Sequence, residues 1–545
     1  MQKDNTRSIS VGKFDSSQTD ASYDVIVIGS GISGLCCAAL LVEKGRRVLV
    51  LEKHFKVGGY THTFKRQPYE WDVGLHYIGE VHKKETPARK LFDRITDGTL
   101  GWAKMDDNYD RIIFPDRTYD FYSPRERLVE DLKSWFPQEV LAIDRYMDLI
   151  DLVSKACKGY FMNKAMPKIL GQILSPILAR PFYRLSDLTT YQQISQLTGD
   201  ERLLGVLTGQ WGDYGLTPRK SSFVMAAAVI GHYLDGGNYP VGGSSQIAAN
   251  IVNFIRKNGG DIFVSSGVDE VLIRRGKAVG VRLDSGEELP ASHIVSSAGV
   301  INTRYRLLKS YYDLDDRDLD LNRNLDFDRQ LQKVTPTMGH LCLHIGLKGS
   351  AEELKLGTAN RWIYPSYDHD QNVENFVRDQ SCDLPVLFLS FGSAKDPLWS
   401  KHSPGISTME AITLAHYQWF TKWEERPWRS RGEDYEALKE TYALRMLDKV
   451  YEQLPQLEGK VDFYELSTPL STRDMAHYRH GELYGIEHTP QRFRQNWLRP
   501  QSPIKGLYLT GQDTVTAGVT GALFSGLITA SVMLKRNLFQ ELNNS

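Results

Sequence analysis

The feature that most constrains this chain is residues 24 to 53, DVIVIGSGISGLCCAALLVEKGRRVLVLEK. Tyr23 to Ile28 is a β-branched run of the kind buried in parallel sheets. Gly29, Ser30, Gly31, Ile32, Ser33 and Gly34 follow as G-x-G-x-x-G. There the first glycine permits a tight turn, the second lets a pyrophosphate approach the backbone, and the third lets helix and strand pack closely. The spacing predicts a helix over Leu35 to Lys44, its N–H groups and dipole aimed at phosphates, ended by Gly45. RRVLVLE is a second strand, with Glu52 at its end and Lys53 next to it. A carboxylate there accepts hydrogen bonds from an adenosine ribose. A glycine turn alone fits a purely structural βαβ unit. Strand, turn, helix, strand and acid in register predict a dinucleotide site. Glu52 also disfavours a 2′-phosphorylated nucleotide, because two anions would meet.

Two other segments separate FAD from NAD. Gly58 and Gly59 stand six residues after Glu52, followed by Tyr60, Thr61, His62 and Thr63. Bare N–H groups and threonine hydroxyls there suit a diphosphate or ribityl chain. Far along the chain, GLYLTGQDTVTAGVTGALFSG (506 to 526) reads as a short strand, then Gly511 and Asp513, then Gly518, Val519 and Gly521 opening a helix. Asp513 is placed for a ribityl chain. Gly518 and Gly521 let a flavin ring lie against the helix start, whose positive end favours negative charge on the reduced ring. Residues 514 to 534 carry no charge and are long enough for a membrane span. Their Thr, Ser and Gly content and the polar GQD before them favour a buried helix covering a flavin.

These residues carry a family resemblance. GGYTHTF and WDVGLHYIG (58 to 79), YPVGGSSQIA (239 to 248), GELYGIEH (481 to 488) and SPIKGLYLTGQDTVTAGVTGAL (502 to 523) stand in order along nearly the whole chain. With them the chain resembles the flavin-dependent phytoene desaturase, carotenoid isomerase and retinol saturase group of amine-oxidase-like flavoproteins, its retinol saturase members most closely. The resemblance implies FAD held through Gly29, Gly31, Gly34, Glu52, Gly58, Gly59 and Asp513, with backbone contacts to adenine from Val268. The wider group has Arg directly after the glycine pair. Tyr60 stands there instead, so the resemblance does not extend to that contact. No cysteine follows Cys382, so the expected FAD is noncovalent.

The expected fold class is α/β: a Rossmann-like FAD-binding domain of amine-oxidase and phytoene-desaturase type, and a second α+β substrate domain with a mixed sheet and helices. Because the cofactor segments are dispersed, the FAD domain is discontinuous, over 21–95, 235–310 and 500–538. The substrate domain takes 96–234 and 311–499. GGSSQIAANIVNFIRKNGG reads as a helix with Ile247, Ile251, Phe254 and Ile255 on its apolar face, followed by strands turning at Gly276 and Ser285-Gly286. DLDDRDLDLNRNLDFDR (313 to 329) reads as a solvated acidic face, without the Gly and terminal Glu of a calcium loop.

Residues 1 to 20 read as a disordered polar tail without the apolar core of a secretory signal. Five cysteines without a C-x-x-C pair fit reduced thiols and a cytoplasmic setting. A net charge of −1 gives no field favouring nucleic acid. Residues 155 to 184 interleave Lys155, Lys158, Lys164, Lys168, Arg180 and Arg184 with apolar side chains, and prolines at 167, 176 and 181 divide them into short helices. Such a segment suits either peripheral membrane contact or an ordinary core-facing pair of helices.

A flavin performs hydride transfer itself, so the protein owes it placement, polarity and dryness. Candidate proton donors are His62, His76, Tyr77 and Tyr484, with Glu482 as an outsider; His477 and His480 lack a third metal ligand. The expected activity is FAD-dependent chemistry on a carbon–carbon double bond of a long apolar polyene: a retinoid, a carotenoid or a polyunsaturated lipid. Saturation of one bond is preferred. Desaturation with an external acceptor and redox-neutral isomerisation use the same site and stay open. So does the source of electrons: NAD(P)H, a reductase partner or ferredoxin. A lipid-carrying GDP-dissociation-inhibitor-like protein and an amine oxidase are the readings from other classes. The intact glycine motif, Glu52 and Asp513 argue against the first, and Tyr60 against the second.

Overall fold

Side chains alternate strictly on the two central strands of the nucleotide sheet. The computed structural model describes residues 11–15, 22–166, 168–313 and 327–544. Val25, Val27, Val48 and Val50 pack on one face, with the helices Ile32–Glu43, Ser245–Lys257 and Gly518–Leu534. Ile26, Ile28, Leu49 and Leu51 pack on the other, against the β-hairpin 268–283. Both faces are covered, so these strands are buried from Val25 to Ile28 and from Val48 to Leu51, as their apolar runs require.

The sheet gathers distant segments. Its parallel strands run Asp261–Phe263, Val48–Leu51, Tyr23–Ile28, Glu288–Ser296 and Leu507–Leu509. Turns at Gly276 and Gly286, both at positive φ, fold the hairpin strands back antiparallel onto Glu288–Ser296. The first helix starts at Ile32, three residues before the sequence-based expectation, because Gly31 serves as its N-cap. Ile247, Ile251, Phe254 and Ile255 are all buried beneath their helix.

A second seven-stranded sheet lies across the cavity mouths of these strands. Its order is Val461–Ser467, Gly339–Lys348, Ile406–Ala415, Leu387–Ser390, Asn360–Ile363, Asn108–Ile113 and Thr118–Tyr122. All neighbours are antiparallel except Asn360–Ile363 against Asn108–Ile113, so the sheet is mixed. Alternation again sorts its residues: Leu341, Leu343, Ile345, Met409 and Ala411 join the core under the helix Glu433–Gln453, leaving the intervening residues for the opposite face. The fold is α/β, a Rossmann-like unit with a mixed-sheet and helical partner.

Three local expectations need correction. Residues 11–15 belong to the stretch read as a disordered tail, yet Phe14 packs edge-on against Phe263 at 5.2 Å and donates its N–H to Ser266. Phe14 is the apolar anchor that a polar-composition argument overlooks; the rest of that tail lies outside the described residues. Residues 155–165 are the end of a 26-residue helix, Val140–Ala165, not a short one. Pro176 lies inside the helix Lys168–Leu178, in its last turn, and does not break it. Pro167 and most of the acidic stretch 313–329 lie outside the described residues.

Candidate active site

One cavity of about 510 Å³ runs from the carboxyl ends of the nucleotide-sheet strands to the inner face of the second sheet. Such strand ends are where open α/β sheets bind ligands. Gly29, Gly31, Ile32, Ser33, Glu52, Lys53, Gly58, Gly59, Tyr60, Thr61, His62, Val268, Gly511, Asp513, Gly518 and Val519 all line it. So do His76 and Tyr484. Ser30, Gly34, Gly521 and Tyr77 do not.

The four that stand back have other work. Ser30 donates its N–H and its hydroxyl to Glu52 Oε2, each at 2.7 Å, and its oxygens receive the Gly58 N–H. A third donor, the His54 N–H, reaches Glu52 Oε1 at 2.8 Å, so the carboxylate is fixed before any ribose arrives. A Cβ on Gly34 would sit 2.4 Å from the Gly29 carbonyl oxygen, and one on Gly521 would sit 2.3 Å from Thr516 Oγ1. Both glycines are packing devices. Tyr77 faces the helical core, stacked on Tyr233 at 4.1 Å, with its hydroxyl 3.0 Å from Asp110 and 2.9 Å from Asp213. That geometry removes Tyr77 from the candidates for contact with a substrate.

The C-terminal loop is set by the GELYGIEH segment. Asp513 accepts from the Val300 N–H at 2.9 Å and the Ile486 N–H at 3.1 Å. Buried Arg492 donates to the carbonyls of Gln512, Asp513 and Val515, and buried Lys164 to those of Leu498 and Thr514. Burial and the neighbouring Arg492 and Arg499 push the Lys164 ammonium far below its usual range. His488 accepts the Ala517 N–H, and the helix begins at Gly518.

Whether a dinucleotide fits can be judged from the backbone. Gly31 bridges Gly58 as a parallel strand pair would, and Gly59 approaches it so closely that a Cβ there would lie 3.1 Å from the Gly31 Cα. Gly518 has open space where a Cβ would stand. Tyr60 turns a buried, unpartnered hydroxyl toward its surroundings. Bare backbone, an anchored acid and a helix start in one cleft fit a dinucleotide carrying a planar ring. Among the described residues no His, Cys, Asp or Glu cluster could hold a metal.

Beyond the helix start the cavity becomes apolar, with Trp362, Phe388, Ile412 and Leu414 on the second sheet and Val386 just before one of its strands. The same face carries His340, Cys342 and His344, at alternate positions of one strand. Burial lowers His340 to about 4 and His344 to about 3, so both rings are neutral. His62, its Nδ1 2.5 Å from the Gly59 carbonyl, is lowered to about 4 by burial.

Beside His76 lies a group of ionisable side chains that sequence reading does not find: Asp72, Glu410, Lys395 and Asp110, all buried, with half-buried Asp213 lining the cavity itself. Lys395 donates to the His76 carbonyl at 2.9 Å, to Ser390 at 2.8 Å and to Asn360. Burial lowers it to about 8. The usable signal is a single Glu in the otherwise uncharged strand ISTMEAITLA (406 to 415).

Comparison with known proteins places this geometry. All-trans-retinol 13,14-reductase of Homo sapiens is 37% identical over 550 residues, 97% of this chain and 88% of that one. The chain belongs to the all-trans-retinol 13,14-reductase family. Within that family a Danio rerio protein named as an inactive form is 31% identical over 97% of this chain and 89% of its own. A neurosporene-forming phytoene desaturase of Rhodobacter capsulatus is 26% identical over 95% of each chain. Residues 27–95 match the NAD(P)-binding Rossmann-like domain. Among solved structures, an oxidoreductase from Methanosarcina mazei (TM-score 0.61, 16% identical, 94% of this chain and 99% of that one) and putrescine oxidase bound to putrescine (TM-score 0.59, 14% identical, 95% and 100%) share the fold. Like its reductase-family relatives, this chain is an oxidoreductase.

Proposed function

We propose that the chain binds FAD noncovalently in this cavity and saturates one carbon–carbon double bond of a long apolar polyene, a retinoid before a carotenoid or a polyunsaturated lipid. The observation that carries the reading is the continuity of the cavity. A backbone-lined dinucleotide cleft passes without a wall into a chamber lined by Trp362, Phe388, Ile412 and Leu414. A ring seated at Gly518 would face a substrate lying along that chamber. The names of the relatives favour a retinoid.

Bound FAD would supply hydride transfer; the chain supplies position, dryness and a proton. Gly31 and Gly59 would bring bare backbone to the diphosphate, while Gly29 and Gly58, whose N–H groups are bonded to Leu51 and Ser30, shape the turns that line it, and Glu52 would take the ribose. The start of the helix Gly518–Leu534 favours negative charge beside it. The apolar wall excludes water, which strengthens every electrostatic interaction inside. Lys155, Lys158, Arg180 and Arg184 are exposed, as are Leu170, Ile173 and Ile177 of the same stretch, which supports a membrane surface as the place where so apolar a substrate is collected. No single helix among the described residues is long and apolar enough to cross a membrane.

The test is anaerobic. Photoreduced protein is mixed in turn with all-trans-retinol, a carotenoid and a polyunsaturated fatty acid. Retinol is expected to reoxidise the flavin and to gain two hydrogens by mass. A colourless protein, or flavin that no polyene reoxidises, overturns the reading. A product two hydrogens lighter, or one of unchanged mass, gives the site to desaturation or isomerisation instead. The inactive relative makes this necessary, since family membership does not by itself guarantee turnover.

A further inference from the structure

Saturating an alkene takes a hydride and a proton, and the proposed function leaves the proton without a source. His76 is the candidate that lines the cavity beside the buried charges. Its backbone is anchored by the Lys395 ammonium, which binds its carbonyl at 2.9 Å, and Phe388 meets its ring edge-on at 5.4 Å. Its Nδ1 is buried, has no hydrogen-bond partner, and stands 4.0 Å from Glu410 Oε2. His76 lines the cavity, and its second ring nitrogen is not the one that faces Glu410.

We propose that Glu410 and His76 form a two-step proton relay, in which the Glu410 carboxyl protonates His76 Nδ1 while the opposite ring nitrogen gives its proton to the alkene. This rests on the polyene reading above. The bookkeeping of the step is closed. The π bond breaks; one carbon gains hydride, with its electron pair, from the reduced flavin; the other gains the proton from His76. Glu410 is left as a carboxylate and the flavin is oxidised by two electrons.

Three observations lead there. First, burial, Lys395, His344 and His340 push His76 down to about 3, so its resting ring is neutral. A neutral imidazole is a useful acid only if its other nitrogen accepts a proton in the same event, and Glu410 is the group facing that nitrogen. Second, Glu410 is 2% exposed and raised well above the usual carboxyl range by burial and by Asp72, so it holds a proton to give. Third, the new carboxylate would have a counter-charge, because Lys395 is buried in the same cluster. The other groups facing Glu410 are His344, directly opposite in the strand pair, and Asp72, which the Tyr239 hydroxyl binds. The 4.0 Å gap is looser than a hydrogen bond, as apo catalytic pairs commonly are before substrate seats.

Glu410→Gln tests the relay, since the amide has the shape of the acid and no proton to give. The first readout needs no turnover: an infrared difference spectrum of wild type minus Glu410→Gln at pH 7.5 is expected to show the carbonyl band of one protonated carboxyl. The second is single-turnover reoxidation of the photoreduced flavin by retinol. It is expected to slow by roughly 10²-fold, the usual contribution of a positioned acid, with FAD content and retinol binding unchanged. His76→Asn is expected to slow it similarly. An absent carbonyl band, or a Glu410→Gln rate within threefold of wild type, overturns the relay. If no polyene reoxidises wild-type flavin, the proposed function falls, while the infrared result still judges the protonation of Glu410.

Discussion

Gly485 and Asp513, 28 positions apart, are in such close contact that a Cβ on Gly485 would lie 2.2 Å from Asp513 Oδ1. Gly485 also has φ +63°, which side chains resist. The segment GELYGIEH therefore holds the loop that starts the C-terminal helix. Gly485→Ala is expected to displace Asp513 and lower FAD occupancy at least fivefold, read from the flavin-to-protein absorbance ratio. Full occupancy would show that this contact does not set the loop.

Glu52 is fixed by three donors and offers its remaining lone pairs to the cleft. Glu52→Gln keeps the shape and loses the charge. A hydrogen bond to a charged group contributes about 1.5–3 kcal/mol, so FAD affinity should weaken by roughly 10- to 100-fold. Glu52→Arg should abolish retention through dialysis, because the new cation would also lose the Ser30 and His54 donors. Isothermal titration of apoprotein with FAD decides the first, and unchanged binding in Glu52→Gln would remove Glu52 from the ribose contact.

The nucleotide half of this site is legible in the sequence because backbone geometry dictates it. Gly29 and Gly59 sit at positive φ, and Gly59 approaches the Gly31 backbone so closely that a side chain there would collide. The catalytic half is less legible because it depends on which face a strand-like segment turns inward. His76 and Tyr77 are neighbours and so point in opposite directions; one lines the cavity and the other enters the helical core. Residue type does not say which. Lys395 and Glu410 escape notice for another reason. Glu410 is one charge in an apolar strand and Lys395 ends a four-residue helix, and only the fold in space brings the two beside His76.

Stability should depend on pH through Glu482. Burial raises this carboxyl to about 7, while an unfolded chain titrates it near 4.3. Folding therefore favours the protonated form. That contribution is fully present below about pH 4 and is lost as pH rises through 7, with a ceiling of about 3 kcal/mol. Glu482→Gln keeps an acceptor for the His480 N–H and cannot ionise. Urea midpoints of wild type are expected to fall more between pH 5 and pH 8 than those of the variant. Parallel losses would place the pH dependence elsewhere.

Ile173 and Ile177 are 67% and 74% exposed on one helix face, a cost that water contact does not explain. If that face meets lipid, the double variant Ile173→Glu, Ile177→Glu loses apolar burial of about 1.5–3 kcal/mol per side chain. Binding to phosphatidylcholine–phosphatidylserine vesicles should drop by at least tenfold in a sedimentation assay, with the melting temperature unchanged. Equal sedimentation of variant and wild type would assign the helix to some other role.

The helices Ile32–Glu43 and Gly518–Leu534 of the nucleotide unit meet at a point set by one missing side chain. A Cβ on Gly526 would lie 2.6 Å from the Ser33 carbonyl oxygen and 2.8 Å from Cys36 Cβ. Such distances force backbone apart, because Ser33 and Cys36 belong to a fully buried helix that cannot turn aside. Overpacking of this kind costs about 1–3 kcal/mol, occasionally more. It would also lift Leu523, Leu527 and Ala530 from the core they share with Leu35 and Leu40. The same movement shifts Gly518, eight residues toward the cavity on the same helix, from beside the cleft. Gly526→Val should therefore lower the melting temperature by several degrees and weaken FAD binding together, although residue 526 does not line the cavity. Calorimetry and FAD titration on one preparation check both. A variant that melts lower yet binds FAD as tightly as wild type would show that the helix start is positioned by the Arg492 and Lys164 contacts alone.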